Sequence, residues 1–377
     1  MFYRNARIFC SDFTFRLGAF EVTNGRFGAI LPETVPEDSI DLQGATVIPG
    51  LVEIHGHGNS GSVFADGDYE GLKKIAAYYA AAGITSFTPT SITLPYDALE
   101  KAFRCARQLA DEAPEGCAVV RGIHMEGPYF SYKKRGAQNP NYLREPDFEG
   151  FMALQERCGG LVRIVDVAPE LPGAVEFVKR AKEICTVSVA HTDADYPCAK
   201  AAFEAGATHL VHLFNAMPAI HHRNPGVIPA AVENEKVRAE LICDGLHVHP
   251  AVVRLAFRLF GGSRMVLISD SCRCSGMAEG SHFESGGQEV WLRGGVAQLA
   301  NGTFAGSAIH LYQGMVNAIG FGVPEEDAVR AASYNPACAI GAQELVGSIA
   351  TGKIADFLIC SPDYSQKRVF MAGRELL

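Results

Sequence analysis

Two histidines separated by one glycine follow an apolar run near the start of the chain. The run is "PGLVEIHGHG", residues 49–58, and the histidines are His55 and His57. Imidazole nitrogens bind zinc and related divalent ions, so this pair could form part of a metal site. It could also be a polar turn at the end of a strand, because a strand-end histidine is often only a hydrogen-bonded structural residue.

Polar residues end four more apolar runs further along the chain. They are His124 and Glu126 in "HMEG", then His191, His212 and Asp270. Imidazoles and a carboxylate suit a catalytic divalent ion that keeps one position open for water. A nearby carboxylate such as Asp270 can take the water's proton and return it to a leaving group. The set therefore predicts metal-assisted hydrolysis of an amide, an ester or a related bond.

Eight short apolar runs could position these residues, and helical patterns alternate with the runs. The runs are "GLVEIH", "ITSFTPT", "AVVRGIHME", "VRIVDVA", "TVSVAH", "HLVHLF", "RAELICD" and "RMVLISD". This alternation is typical of βαβ units, and eight strands close a (β/α)8 TIM barrel whose active site lies at the C-terminal strand ends. An open doubly wound sheet is the alternative, but no glycine-rich phosphate-binding sequence follows the first strand. We therefore predict an α/β fold with the barrel.

The two ends of the chain have a different pattern from the middle. Apolar and polar residues alternate over residues 1–46, and Asn24-Gly25 is a strong signal for a two-residue hairpin turn. The segments "GSIATGKIADFLIC" and "KRVFMAGREL" near the C-terminus have the same character. Both ends are therefore expected to form short strands and turns.

Composition excludes several classes of protein. The chain has 377 residues, 48% of them hydrophobic, and a formal net charge of −9, which argues against a general nucleic-acid-binding protein. No apolar run is long enough to span a membrane, and the N-terminus lacks the pattern of a secretory signal, so we expect a cytoplasmic protein. Eleven cysteines without a C-x-x-C pair favour neither a disulfide framework nor a thiolate zinc site.

The strand-end set resembles the amidohydrolase superfamily, with H-x-H on strand 1, histidines on strands 5 and 6 and an aspartate on strand 8. The resemblance extends over four segments: "HMEGPYFS", "HLFNAMPAIHHRNPG", "DGLHVHP" and "GSIATGKIADFLI". It implies a barrel over residues 49–340 and a small β-sandwich domain formed by residues 1–48 and 341–377.

The resemblance also implies ligands and a base. Glu126, His191 and His212 correspond to the ligands of the main metal ion, and Asp270 corresponds to the general base and acid. His55 and His57 match a second metal position that some members of the superfamily use. One or two divalent ions are therefore expected, with zinc as the first choice and Fe, Mn, Co or Ni as alternatives.

Within the superfamily, the four segments are similar to deacetylases that act on N-acetylglucosamine 6-phosphate. That similarity implies removal of the N-acetyl group and release of acetate. It also implies a homodimer in which Arg223 reaches the neighbouring active site, with no nucleic-acid or membrane partner. The implied substrate contacts are Ala137, Gln138, Asn215, Ala216, Arg223 and His247.

Two positions depart from the pattern of these deacetylases. The loop after "EGP" reads Arg135-Gly136-Ala137-Gln138, where the family usually has Lys-Gly-Ala-His. A glutamine can donate a hydrogen bond but cannot carry a positive charge. The second position is Arg273, three residues after Asp270. Its side chain either reaches the site as an extra cation or faces outward.

Two other functions therefore stay open. The first is an amidohydrolase for another substrate: N-acetylgalactosamine 6-phosphate, an unphosphorylated N-acyl compound or a cyclic amide. The second is a non-catalytic sugar-phosphate-binding protein.

Overall fold

A closed barrel of eight parallel strands forms the centre of the computed structural model, which describes residues 1–376. The strands are β1 (Leu51–Gly56), β2 (Ile84–Pro89), β3 (Val119–Val120 and Ile123–Met125), β4 (Val162–Val167), β5 (Thr186–Val189), β6 (His209–Leu210), β7 (Arg238–Ile242) and β8 (Met265–Ile268). Two parallel bridges, Thr90 with His124 and Gly56 with Ser271, join the hydrogen-bonded segments into a ring. The predicted (β/α)8 fold is confirmed.

The strands are apolar because they are covered on both faces. Every residue of β1 and β2 is buried, and so is every residue of β8. A parallel barrel places side chains on one face of each strand in its interior and packs the other face against the surrounding helices. Continuous apolar runs such as "RMVLI" therefore indicate a barrel strand. A strand with one exposed face would instead alternate apolar and polar residues.

Within residues 1–376, ten α-helices lie between the strands or after the last barrel strand. They are α1 (Tyr69–Ala81), α2 (Tyr96–Glu112), α3 (Phe148–Arg157), α4 (Ala174–Ala181), α5 (Tyr196–Ala205), α6 (Val227–Glu233), α7 (Pro250–Phe260), α8 (Leu311–Gly320), α9 (Glu325–Ala332) and α10 (Tyr334–Ala339). The side chains of Asp68, Asp147 and Asp195 accept N-terminal backbone N–H groups of α1, α3 and α5. These caps satisfy donors that a helix start leaves unpaired.

Both ends of the chain meet in one mixed sheet of eight strands. Its members are Phe2–Phe9, Phe15–Thr23, Arg26–Ile30, Ile40–Asp41, Thr46–Pro49, Phe357–Cys360, Lys367–Met371 and Arg374–Glu375. The sheet curls around a single core, in which the ring of Tyr3 stacks on Phe20 at 4.9 Å and contacts Phe357 at 5.6 Å. The small β domain expected from both termini is therefore a single curled sheet, while the division at 48/49 and 340/341 stays a prediction.

The predicted turn at Asn24-Gly25 joins two strands of this sheet. Thr23 pairs with Arg26, so the loop has two residues, and their φ angles are 50° and 74°. Positive φ at both positions is the type I′ geometry that Asn-Gly favours. The hairpin prediction is confirmed.

An additional antiparallel sheet interrupts the barrel between β8 and α8. Its strands are His282–Ser285, Gln288–Arg293, Val296–Leu299 and Phe304–Ser307, and we call it the inserted sheet. Gly286-Gly287 and Gly294-Gly295 form two-residue turns with positive φ. This sheet was not predicted from the sequence, although the two Gly-Gly pairs between alternating runs are hairpin signals.

The structure contains neither a disulfide bond nor a membrane-spanning helix among the described residues. All eleven cysteines have free thiols, and seven of them are buried. Along residues 1–376 we find no helix with the length and apolar character needed to cross a membrane.

Candidate metal centre and active site

The strand-end residues lie at the C-terminal ends of the barrel strands, where the loops begin. Three of them have a left-handed backbone: φ is 44° at His191, 27° at His212 and 47° at Asp270. Residues other than glycine rarely adopt this conformation, and such strain concentrates at functional sites. The fold therefore holds these three side chains in place at a local conformational cost.

Three side chains converge on one point at the centre of the site. The Nε2 atom of His191 is 3.2 Å from Glu126 Oε1, and the Nε2 atom of His212 is 3.3 Å from the same oxygen. The two Nε2 atoms are 3.1 Å apart. Ligands at normal bond lengths around a tetrahedral zinc ion lie about 3.3 Å from one another, so the triangle has the size of one face of such a site.

A second group of side chains shares Glu126 with the first. The Nε2 atom of His55 is 3.5 Å from Glu126 Oε1, and the Nε2 atom of His57 is 3.5 Å from Oε2. Asp270 Oδ1 lies 3.2 Å from His57 Nε2 and 3.9 Å from His55 Nε2. Both histidines of the H-x-H pair therefore face the same region, as expected for residues two apart on a strand.

Hydrogen bonds fix the orientation of three of the four imidazoles. Nδ1 of His55 contacts Glu240 Oε2 at 2.8 Å, that of His57 contacts the Thr90 carbonyl at 3.2 Å, and that of His191 contacts the Lys134 carbonyl at 3.0 Å. An Nδ1–H donated to an oxygen leaves the Nε2 lone pair free to bind a cation.

One unpartnered atom tests whether a divalent ion fits this site. Nε2 of His55 is buried and has no hydrogen-bond partner, although it faces Glu126. A buried polar atom without a partner is costly unless another ligand satisfies it. A divalent ion would satisfy this atom. The same kind of ion would also bind the Nε2 atoms of His191 and His212, which face each other at 3.1 Å. The residues present therefore fit a divalent ion.

Two buried carboxylates that were not predicted from the sequence hold histidines of the site by hydrogen bonds. Glu240 on β7 contacts His55 Nδ1 and, at 3.0 Å, His209 Nε2. Asp166 on β4 contacts His124 Nε2 at 3.0 Å, so His124 supports the site and is not aimed at its centre. The available signal was a single acidic residue within an apolar strand, in "RAELI" and "VRIVDV".

The local electrostatics keeps both central carboxylates ionised. Burial opposes ionisation of Glu126, but the imidazoles of His191 and His212 beside it hold its pKa well below the usual range. Burial also opposes ionisation of Asp270, whose pKa is nevertheless lowered by its hydrogen bond with His57. Anionic carboxylates are the forms that bind a cation and accept a proton.

A cavity of about 340 Å³ opens directly onto these groups. Its wall includes five of the six residues expected to contact substrate, namely Ala137, Gln138, Asn215, Ala216 and His247. The inserted sheet supplies the opposite wall through residues such as Gln288, Val290 and Phe304. This volume is in the range of small-molecule sites.

Two arginines named by the sequence analysis lie outside the cavity wall. Arg223 is on an exposed loop of its own chain. Arg273 turns away from the cavity, because its guanidinium binds the Asp66 carboxylate at 2.6 Å and the Gly61 carbonyl at 3.0 Å. Arg273 therefore does not line the cavity as an extra cation, and its side chain is only 19% exposed.

The geometry supports hydrolysis more readily than simple binding. A cluster of three potential ligands, His57 and an ionised aspartate line one cavity, and His55 is buried beside them. The backbone of Asp270 is held on both sides, since its N–H donates to the His55 carbonyl at 2.8 Å and its carbonyl accepts from Ser307 N at 2.7 Å. A proton-accepting group is thus fixed beside a candidate metal centre.

Comparisons with known proteins agree with this geometry. The Amidohydrolase family matches residues 46–376. An N-acetylglucosamine-6-phosphate deacetylase from Bacillus subtilis (strain 168) is 36% identical over 354 residues, which cover 92% of this chain and 89% of the relative. An N-acetylgalactosamine-6-phosphate deacetylase from Escherichia coli O157:H7 is 31% identical over 355 residues, covering 94% and 93% of the two chains.

The chain also resembles a solved structure of a deacetylase over its whole length. The chain is similar to a variant of the N-acetyl-D-glucosamine-6-phosphate deacetylase from Mycobacterium smegmatis in complex with N-acetyl-D-glucosamine-6-phosphate. The TM-score is 0.93 at 31% sequence identity, and the match covers 100% of this chain and 99% of the other.

Proposed function

The chain belongs to the amidohydrolase family, and we propose that it hydrolyses the N-acetyl group of N-acetylglucosamine 6-phosphate to glucosamine 6-phosphate and acetate. One observation carries this proposal: the Glu126, His191 and His212 ligand atoms converge beside Asp270 in the wall of a sugar-sized cavity. The two deacetylases of phosphorylated amino sugars that align over about nine-tenths of the chain support the substrate class.

The proposed chemistry assigns separate tasks to the ion and to Asp270. A divalent ion held by Glu126, His191 and His212 would polarise the amide carbonyl and acidify a water molecule. Asp270 accepts the proton that the attacking water loses. It then delivers that proton to the sugar nitrogen as the C–N bond breaks, so that acetate and a free amine are released. His57 lies beside this carboxylate, with its Nε2 atom 3.2 Å from Asp270 Oδ1.

Zinc is the first choice for the ion, and Fe, Mn, Co or Ni are alternatives with the same ligand types. A second ion between His55, His57 and Glu126 is part of the proposal, since these three residues form their own buried cluster. Sites with two metal ions are common in hydrolytic enzymes.

The substrate phosphate requires a cation that the chain's own cavity does not supply. No lysine or arginine lines the cavity within residues 1–376. Arg223 is exposed on the loop beside Ile220, an apolar residue that is 48% exposed. We therefore assign to Arg223 a phosphate contact in the neighbouring subunit of a homodimer, where its planar guanidinium can bind two phosphate oxygens.

The remaining contacts and the setting complete the proposal. Asn215, Ala216 and His247 bind the sugar phosphate, and Ala137 and Gln138 lie beside the N-acetyl group. The enzyme acts in the cytoplasm without a nucleic-acid or membrane partner. A barrel domain of residues 49–340 carries the site, and residues 1–48 and 341–377 form the small domain.

A deacetylase for N-acetylgalactosamine 6-phosphate is the second candidate. Gln138 favours it, because the residue stands where the glucosamine-specific family usually has histidine. The E. coli relative named for that activity is also 31% identical. A comparison of kcat/KM for the two sugar phosphates and for unphosphorylated N-acetylglucosamine separates the alternatives. We expect the glucosamine phosphate to be preferred, and equal values with and without phosphate would reject the role of Arg223.

A further inference from the structure

Gln138 is held at both ends of its side-chain amide. Its Oε1 accepts the backbone N–H of Thr93 at 2.8 Å, and its Nε2 donates to Glu126 Oε2 at 2.7 Å. A backbone N–H can only donate, so the amide oxygen must face Thr93 and the NH₂ group must face Glu126. The orientation of the amide is therefore determined by its partners.

We propose that Gln138 is a positioning residue for the Glu126 carboxylate and thereby sets the metal affinity of the main site. This inference rests on the proposed function, because it requires the ion that Glu126, His191 and His212 would hold. It assigns Gln138 a role in addition to the substrate contact expected from the sequence.

The two oxygens of Glu126 have different surroundings. Oε1 faces the histidine side of the cluster, with His191 Nε2 at 3.2 Å and His212 Nε2 at 3.3 Å. Oε2 faces Gln138 at 2.7 Å and His57 at 3.5 Å. The hydrogen bond from Gln138 stops the carboxylate from rotating, so that Oε1 stays directed toward the two histidines. Partners of this kind keep a ligand in its binding geometry.

The chemistry of an amide suits this task. The neutral NH₂ group donates without adding a charge that would compete with the cation for the carboxylate. The Thr93 bond comes from the loop after β2, and Gln138 N donates to the Arg135 carbonyl at 2.9 Å. The side chain is therefore held by one loop and the backbone by its own turn. Gln138 can position Glu126 because Gln138 is itself fixed.

Three variants test the inference by metal affinity. Gln138→Leu removes both amide hydrogen bonds, and Gln138→Glu keeps the shape but places a second carboxylate against Glu126. Asn139→Ala is the matched control, because Asn139 lines the same cavity and its side chain donates to the Gly286 carbonyl at 3.0 Å and not to Glu126. Each metal-free protein is titrated with Zn²⁺ against a chromophoric chelator, and the visible spectrum of the Co²⁺ form is recorded.

We expect Gln138→Leu to bind Zn²⁺ about 10–100-fold more weakly than the wild type. Gln138→Glu should change the Co²⁺ spectrum, because it replaces the NH₂ donor by a carboxylate oxygen, while the Zn²⁺ affinity of Asn139→Ala should stay within about twofold of the wild type. Equal unfolding temperatures of the metal-free proteins show that the loss is not a folding defect. If the wild type binds Zn²⁺ and Gln138→Leu binds it equally well, this inference fails alone. If the wild type binds neither Zn²⁺ nor Co²⁺, the metal site of the proposed function fails with it.

Discussion

The charge of Asp270 is the residue-scale property on which the proposed catalysis depends most. Replacing Asp270 by Asn keeps the shape of the side chain but removes its ability to accept a proton. We expect kcat for deacetylation to fall by about 10²–10⁴-fold. Zn²⁺ affinity should change by less than about tenfold, because Glu126, His191 and His212 are intact. Acetate release and chelator competition measure the two effects, and full activity in the variant would contradict the assignment.

The H-x-H pair determines whether a second ion binds. The double substitution His55→Asn and His57→Asn removes two ligands from the second cluster and none from the first. We expect the variant to bind one zinc ion fewer per chain than the wild type and to keep the tighter ion. Elemental analysis after dialysis against limiting zinc measures the ratio. An unchanged ratio would mean that the pair serves only as a hydrogen-bonding group.

Residue types at strand ends could be predicted from the sequence, but their supports could not. His55, His191 and Asp270 stood out because a polar residue follows an apolar run. Glu240 lies inside such a run, and its pairing with His55 depends on two strands that are distant in the chain. The contact between Gln138 and Glu126 likewise depends on the path of a loop, which no periodicity encodes.

The start of helix α8 provides a test at the scale of one element. The side chain of His310 caps this helix by accepting Gln313 N–H at 3.1 Å, which requires a neutral Nδ1. Burial, together with the charge of Lys367, lowers the pKa of His310 to about 4. In the unfolded chain the His310 imidazole has its ordinary pKa of about 6.5. The neutral, capping form of His310 therefore stabilises the fold above that pH, and this stabilisation is lost as the pH falls towards 4.

His310→Asn keeps a capping acceptor but cannot titrate in this range. Between pH 7 and pH 4 the wild type should lose on the order of 2 kcal/mol more stability than the variant, after allowance for partial exposure of the ring. Urea unfolding at pH 7, 5.5 and 4 measures the difference, with the shared titrating groups cancelling between the two proteins. Parallel pH profiles would show that His310 is not the group responsible.

The inserted sheet shows where element prediction failed and why. Its strands alternate apolar and polar residues between Gly-Gly turns, which is a local signal that can be read from sequence. These strands are partly exposed, so they lack the long apolar runs by which the barrel strands were predicted. Its position over the cavity depends on tertiary contacts, such as the bridge between Ser271 and Ser307, that the local pattern does not contain.

At the scale of the whole molecule, the proposed homodimer makes each active site depend on two chains. Mixing Arg223→Ala with Asp270→Asn subunits should restore activity, because the Arg223→Ala chain keeps its own Asp270 and receives an arginine from its neighbour. After unfolding and refolding an equal mixture, about a quarter of wild-type activity is expected from random pairing. Each variant refolded alone is the control. An inactive mixture that sediments as a dimer would place Arg223 in its own site.

The architecture was the most predictable level of the molecule. Eight apolar runs separated by helical segments correspond to β1 to β8, because burial on both faces leaves a strong compositional trace. The union of the two chain ends in one sheet was implied only by resemblance, since no local pattern shows that Thr46–Pro49 pairs with Phe357–Cys360. Pairing between segments so distant in sequence is a property of the folded chain.

Acetate release from N-acetylglucosamine 6-phosphate tests the central claim most directly. Chelator-treated protein should release none, and adding Zn²⁺ should restore release with one glucosamine 6-phosphate formed for each acetate. The Asp270→Asn protein, loaded with Zn²⁺ in the same way, provides the background rate. Release by the wild type far above that background is the predicted result. A zinc-loaded wild type that releases acetate no faster than Asp270→Asn would contradict the account.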